Sequence, residues 1–282
     1  MKFALGTAAF NHNYGVTNTS YADLEQIQQI LDLGLSYDVT YLDTAPAYGE
    51  SQTSLGLCSA SQDYAVITKV HGETPQSLEE QLQSSLVQLQ HDSVYAVLLH
   101  DENLLLGSRA HHIYDVMQKL KSNGQVKKIG VSFYSPDKAE QTLEHFDLDL
   151  IQAPANILDR RFEKRIFQHA QRAGVEVHSR SLFLQGLLAI SPTQRHAKFQ
   201  DQADLIKFDQ AAQEYGLTQL ELAVSVLTQQ PSIDCTIIGC IQSQQLIEIM
   251  QAYQKMMTWN DLNLNLESEH LNLLNPTQWN SL

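Results

Sequence analysis

Apolar, β-branched and aromatic residues gather in eight short runs along the chain, at 3–7, 40–43, 64–70, 94–99, 128–132, 148–152, 175–179 and 235–239. Each run has the length of a strand. Most are apolar throughout, which predicts burial on both faces, as in a parallel sheet. Between the runs, apolar positions recur three and four apart. Leu24, Ile27, Leu31 and Leu35 form one such stripe, and Leu78, Leu82, Leu86 and Leu89 form another. Ile113, Val116, Met117 and Leu120 repeat the pattern, as do Leu220, Val224 and Leu227, and then Leu246, Ile249, Met250 and Tyr253. That spacing places each set on one helical face. Thr74-Pro75 and Ser135-Pro136 read as helix starts, a capping residue followed by a proline whose missing N–H is not needed there. Ser20 with Asp23 reads as a capping box with Asp in the usual Glu position.

Strands alternating with helices over 282 residues predict a (β/α)8 TIM barrel, with eight parallel strands, outer helices and a short C-terminal tail. The alternative is a doubly wound sheet. That fold would want GxGxxG after the first strand, where Gly6-Thr7-Ala8-Ala9-Phe10 stands instead. Residues 1–282 read as one barrel domain, with a polar loop insertion at 189–203 and a tail at 259–282.

Composition narrows the function. Hydrophobic residues make up 43% of the chain, enough for a sizeable core, which excludes disorder. Lys and Arg number 18 against 32 Asp and Glu, a net charge of −14. That balance argues against nucleic acid and anionic membranes as partners. No apolar run approaches the roughly 18 residues of a membrane span. Residues 1–10 weakly imitate a signal peptide, but Gly6 and Thr7 interrupt the run, and it reads as the first strand. Cys58, Cys235 and Cys240 are odd in number and show no metal spacing. They fit buried small side chains in a reducing, cytoplasmic setting. His111-His112 has no third ligand nearby in sequence, so no metal site is expected.

Active sites of such barrels collect at the C-terminal strand ends. The second run ends in Asp43, with Tyr48 just beyond it, the third carries Lys69 near its end, and the fourth leads into His100. A tyrosine holds its proton at neutral pH, and a neighbouring ammonium favours its phenolate. A carboxylate would hold that lysine, and a histidine could orient a carbonyl oxygen. Together they could protonate a carbonyl while hydride reaches its carbon. None is a hydride source, so a nicotinamide would be needed. Taken singly, each residue also has a bland reading as a loop aromatic, surface lysine, structural cap or satisfied histidine.

The segment Leu42-Asp43-Thr44-Ala45-Pro46-Ala47-Tyr48-Gly49-Glu50-Ser51 closely resembles the DTAxxYGxS signature of aldo-keto reductases. The resemblance continues through Ile67-Thr68-Lys69, Leu98-Leu99-His100, Ile129-Gly130-Val131-Ser132, Ile151-Gln152, Gln185-Gly186-Leu187-Leu188 and Ile237-Ile238-Gly239. It covers nearly the whole chain and implies an NAD(P)H-dependent oxidoreductase acting on an aldehyde or ketone, with a sugar or related carbonyl as a weak hint. Asp43, Tyr48, Lys69 and His100 match the family's catalytic residues, Tyr48 being the general acid in reduction and the base in oxidation. The resemblance places Gly6 and Thr7 near the nicotinamide ribose and Ser132 and Gln152 at the carboxamide. It places the loop Ser181, Leu182, Gln185, Gly186 and Leu187 under the pyrophosphate. Gly239, Gln242, Gln245 and Glu248 fall at the adenosine end.

Three departures matter. Phe133 stands where the family often has Asn. Arg180 stands where an aromatic commonly stacks on the nicotinamide, and as a cofactor-binding residue it could stack there through its planar guanidinium and place positive charge beside the cofactor. The stretch 236–253 holds no Lys or Arg for a 2′-phosphate. NADP(H) is favoured on family grounds, with NAD(H) possible. Phe10, Tyr14, Phe133, Tyr134 and Phe183 either line a substrate pocket with Tyr48 and His100 or pack the loops, and His12 and Asn13 could bind a polyol. The alternatives are a non-catalytic nucleotide-binding member of the family and a metal-dependent barrel hydrolase, the latter lacking HxH on strand one. The expected partner is a small carbonyl substrate; the sequence leaves the oligomeric state open.

Overall fold

The computed structural model describes residues 2–10, 21–72, 74–259 and 264–281. Eight strands run β1 (Lys2–Gly6), β2 (Tyr41–Asp43), β3 (Ala65–Val70), β4 (Val94–Leu99), β5 (Val126–Ser132), β6 (Leu150–Pro154), β7 (Glu176–Arg180) and β8 (Cys235–Gly239). Every neighbouring pair is parallel, and β1 pairs with β8, which closes the barrel in sequence order. The chain is therefore a (β/α)8 barrel. All eight expected strands are present, shifted by at most two residues.

The helices are α1 (Leu24–Ser36), α2 (Ser51–Leu57), α3 (Pro75–Leu89), α4 (Ala110–Ser122), α5 (Pro136–His145), α6 (Gln168–Arg172), α7 (Ala197–Gln200), α8 (Ala203–Glu214), α9 (Gln219–Ser225), α10 (Ser243–Met257) and α11 (Leu271–Leu274). Thr74 and Ser135 cap α3 and α5 with a proline in the first turn, as read from the sequence. The start of α1 differs. Asp23 is its cap and forms the reciprocal box with Gln26, while Ser20 lies outside the described residues. Leu24 is correspondingly exposed, and Ile30 and Gly34 join Ile27 and Leu31 on the buried face.

Strand alternation decides what lies inside the barrel. Ala4, Tyr41, Ile67, Ala96, Leu98, Leu150 and Cys235 form one cluster, separate from the helix-facing core that holds Leu5, Leu42, Val66, Val97, Val131 and Ile151. Extending the inner series by two residues along its strands reaches Gly6, Asp43, Lys69, His100 and Gln152, and on β8 the series runs from Cys235 through Ile237 to Gly239. The candidate residues thus continue the interior rows toward one mouth. Close packing constrains the wall as well. A Cβ on Gly130 would lie 1.9 Å from the Leu150 carbonyl oxygen, so β5 and β6 meet there only because position 130 has no side chain.

The insertion at 189–203 is not a free loop. Its Arg195 is buried, pairs with Asp209 through two bonds of 2.5 and 2.7 Å, and donates to the Leu187 carbonyl. The described part of the tail packs down too. Trp279 donates to the Leu273 carbonyl and meets Phe199 edge-on. No helix of the described residues is long and apolar enough to cross a membrane. All three cysteines are buried and unbonded to one another.

Candidate active site

Lys69 is the hinge of the mouth. It is 1% exposed, and its Nζ donates to Asp43 Oδ1 at 2.6 Å, to the Thr44 carbonyl at 3.2 Å and to Tyr48 Oη at 3.3 Å. Three oxygens from the β2 end and the turn after it thus surround one buried ammonium. Gln152, on the far side of the barrel, donates to Asp43 Oδ2 at 2.7 Å. Both carboxylate oxygens are therefore engaged, which a buried charge requires. Tyr48 sits on a single helical turn opened by Pro46, half-buried, with His100 edge-on at 6.3 Å between ring centroids.

Burial and the Asp43 charge push the Tyr48 phenol well above its ordinary value, while Arg180 pulls the other way. The sequence led us to expect the lysine to lower it. The reason for the difference is geometric: Asp43 lies 2.6 Å from the ammonium, so its negative charge accompanies the lysine's positive one. Burial and the Lys69 charge take His100 down to about 4, so its ring is neutral at pH 7. The mouth thus presents a protonated phenol and a neutral imidazole.

A groove with a cavity of about 280 Å³ starts at this cluster. Gly6, Asp43, Tyr48 and Gly239 line it at the strand ends, Arg180, Ser181, Leu182, Phe183, Gln185 and Gly186 along the stretch from the end of β7, and Gln245 and Glu248 of α10 at its far end. The stretch after β7 has an unusual backbone. Ser181, Leu184, Gln185 and Gly186 all have positive φ, at 63°, 46°, 53° and 93°. Three of these are not glycine, and such strain persists only when surroundings impose it. Buried Asn156 supplies part of that, donating to the Ser181 carbonyl at 3.1 Å. Arg195 supplies more from the Leu187 side.

Other candidates fall elsewhere. Thr7 is fully buried, and its hydroxyl donates to the Asp43 carbonyl, so it ties β1 to β2 instead of facing the groove. Leu187 is core. Gln242 precedes α10 as its cap residue and is not part of the groove wall. Ser132 and Gln152 are register partners on β5 and β6 and are buried at the barrel mouth. Gln152 Oε1 is buried without a hydrogen-bond partner. Phe10 and Phe133 are fully buried in the helix-facing core, so of the two readings for these aromatics, packing fits. Phe183 lines the groove. Tyr14, His12 and Asn13 lie outside the described residues.

Some wall residues carried no readable signal. Ala8, Ala9, Ala189, Ile190, Leu220, Cys240 and Ile249 also line the groove, and nothing in their type marks them. Asn156 and Glu102 act at one remove. The Glu102 carboxylate accepts from the backbone N–H groups of Tyr134 and Ser135 and pairs with Lys138, fixing the loop after β5. Spacing offers no clue to either role.

Residues 2–264 match the family model described as the Aldo/keto reductase family. The Aldo-keto reductase YhdN of Bacillus subtilis (strain 168) is 24% identical over 302 residues, covering 95% of this chain and 87% of that protein. An NADH-specific methylglyoxal reductase of Escherichia coli (strain K12) is 29% identical over 116 residues, covering 41% of this chain and 36% of that protein. Among solved structures, the holo form of aldo-keto reductase AKR11C1 from Bacillus halodurans superposes with a TM-score of 0.73 at 19% identity, covering 93% of this chain and 94% of that one. The glycerol dehydrogenase AKR11B4 of Gluconobacter oxydans gives 0.69 at 20% identity, over the same shares.

Proposed function

The chain belongs to the aldo/keto reductase family, and from that premise we propose that it reduces an aldehyde or ketone at the Tyr48 mouth, with a nicotinamide coenzyme in the groove. The observation that carries this reading is Tyr48 Oη held 3.3 Å from the buried ammonium of Lys69, at the head of that groove. A nicotinamide, when bound, supplies or accepts hydride. The chain's own residues then handle the proton and the charge. Tyr48 keeps its proton until a carbonyl oxygen takes it. The phenolate left behind accepts from Lys69, whose position Asp43 and the Thr44 carbonyl have already set, so little reorganisation is needed. Neutral His100 faces the Tyr48 ring and orients the carbonyl oxygen without competing for charge. In oxidation the same proton path runs backwards.

The groove suits a dinucleotide on two counts. Gln152 lies behind the groove wall, bonded to Asp43, and its partnerless Oε1 is an acceptor that a carboxamide N–H reaching past that wall would satisfy. The far end reaches the start of α10, where backbone N–H groups favour phosphate. Coenzyme choice turns on that end. Its polar walls are Gln245 and the acidic Glu248, and 236–253 contains no Lys or Arg. Lys255, further along α10, is engaged by Glu221 at 2.7 Å. A 2′-phosphate would meet a carboxylate and no cation, so NAD(H) fits better than NADP(H). The name of the NADH-specific relative supports the same choice.

Tyr48→Phe tests the reading. Turnover of an aldehyde panel should fall by about a hundredfold or more, while NADH titrated by fluorescence binds within a few-fold of the unsubstituted protein. Undiminished turnover would overturn the assignment of Tyr48. Coenzyme binding without turnover of any aldehyde by the unsubstituted chain would favour a non-catalytic role.

A further inference from the structure

Among the described residues, Arg180 is a cation in the mouth without a counter-ion. Arg160, Arg161, Arg165 and Arg195 each meet a carboxylate within 2.8 Å. Among the described residues none pairs with Arg180. Its guanidinium donates instead to the Phe133 carbonyl at 2.9 Å and to Ser181 Oγ at 3.3 Å. A guanidinium has five N–H donors, so three remain.

The group is held in place before any ligand arrives. The Tyr134 ring lies 4.0 Å from the Arg180 Cζ and covers one face of its plane. Glu102 in turn fixes the Tyr134 backbone N–H at 2.7 Å, and the Glu102 charge is met by Lys138 at 2.9 Å. An ordered planar fork costs less to bring onto a ligand than a loose side chain. Arg180 lines the groove together with Tyr48 and also forms part of a smaller neighbouring cavity of about 90 Å³, with Arg161, Asn275 and Gln278 in its wall. Arg161 there is neutralised by Asp159, which leaves Arg180 as the charge that a ligand would feel.

We propose that Arg180 binds a carboxylate carried by the carbonyl substrate, so that the preferred substrates are acidic aldehydes or ketones whose carbonyl reaches Tyr48. The proposal rests on the carbonyl-reductase reading above. In a chain of net charge −14, an unpaired guanidinium beside the reacting centre draws an anion to the one place where it can be turned over.

The test compares 4-carboxybenzaldehyde with its methyl ester as substrates of the full chain, in the presence of NADH and of NADPH. The ratio of kcat/KM for acid over ester cancels whatever a substitution does to coenzyme binding or to turnover in general. The unsubstituted protein should favour the acid by about tenfold or more. In Arg180→Gln that ratio should drop by about tenfold to a hundredfold, mainly through KM for the acid, with Arg180→Lys in between. A ratio near one in the unsubstituted protein, or one unchanged in Arg180→Gln, overturns the proposal and leaves the reductase reading standing. Failure to reduce either aldehyde removes the reductase reading and the proposal with it. A measurement that needs no variant is inhibition of ester reduction. Benzoate should inhibit about tenfold more strongly than benzamide, and equal inhibition overturns the proposal however the variants fold.

Discussion

Asp43 and Lys69 offer the sharpest test of how this mouth is built. Their contact is 2.6 Å long, with side chains 5% and 1% exposed. Asp43→Asn removes the negative charge and leaves a buried ammonium with neutral oxygens alone to accept from it: the new amide oxygen, the Thr44 carbonyl and Tyr48 Oη. Lys69→Met leaves a buried carboxylate with Gln152 as its remaining side-chain donor. Stranding one charge of a buried pair costs about 3 to 5 kcal/mol, so each single variant should lose that much stability. The double variant Asp43→Asn/Lys69→Met strands neither charge. Its loss should fall short of the summed single losses by about 2 kcal/mol or more. Urea unfolding at pH 7, followed by circular dichroism and fluorescence together, gives the four free energies and checks that the transitions coincide. Aldehyde turnover should be lost in all three variants, because the double restores the fold without restoring the charge that steadies a Tyr48 phenolate. Additive stability losses would refute the claim that the two charges hold each other. Turnover recovered in the double variant would refute the role given to Lys69.

Two further predictions follow from other parts of the barrel. Glu248→Lys exchanges the acidic wall at the far end of the groove for a basic one. The ratio of NADPH to NADH affinity, read by fluorescence titration, should rise by about tenfold, and an unchanged ratio would show that this end does not meet the 2′ position. Inside the barrel at its opposite end, Glu176 accepts from Tyr95 at 2.7 Å, contacts His178 at 2.7 Å and pairs with Lys128. Burial works against its charge, but these three contacts outweigh it and bring the carboxyl down from 4.5 to about 2. A lowered carboxyl value contributes stability that is complete above the unfolded value near 4.5 and is lost as pH falls toward 2. The contribution is up to about 3 kcal/mol. Glu176→Gln should be less stable by up to that amount at pH 7, with the gap closing between pH 4.5 and 2. A gap constant across that range would refute the linkage.

Much of the fold was legible before any coordinates. The eight apolar runs are the eight strands, because a strand buried on both faces must be apolar along its length. The stripe of Leu78, Leu82, Leu86 and Leu89 is the buried face of α3 for the corresponding helical reason. That Asp43, Tyr48, Lys69 and His100 meet at one mouth was legible too, since strand ends and a motif both pointed to them. Loop residues carry no period, and there the reading was weaker. Phe10 and Phe133 looked as fit for a pocket wall as Phe183, yet they are core and Phe183 is not. Thr7 looked like a groove residue, but its hydroxyl turns to the Asp43 carbonyl.

The sequence by itself determined the strands, their alternation and the chemical types present at their ends. Those are local properties, set by the two-residue period of a strand and the 3.6-residue period of a helix. Only closure of the barrel decided which side chains meet. Gln152 reaches Asp43 across 109 residues of chain because β6 and β2 face each other over the barrel mouth. Arg180 rests on Tyr134 because Pro154 pairs with Arg180 and Ser132 with Gln152, which brings the ends of β5 and β7 to either side of β6. Its want of a counter-ion among the described residues is likewise a property of the assembled mouth. Pairing is a matter of distance in space, and a sequence states only distance along the chain.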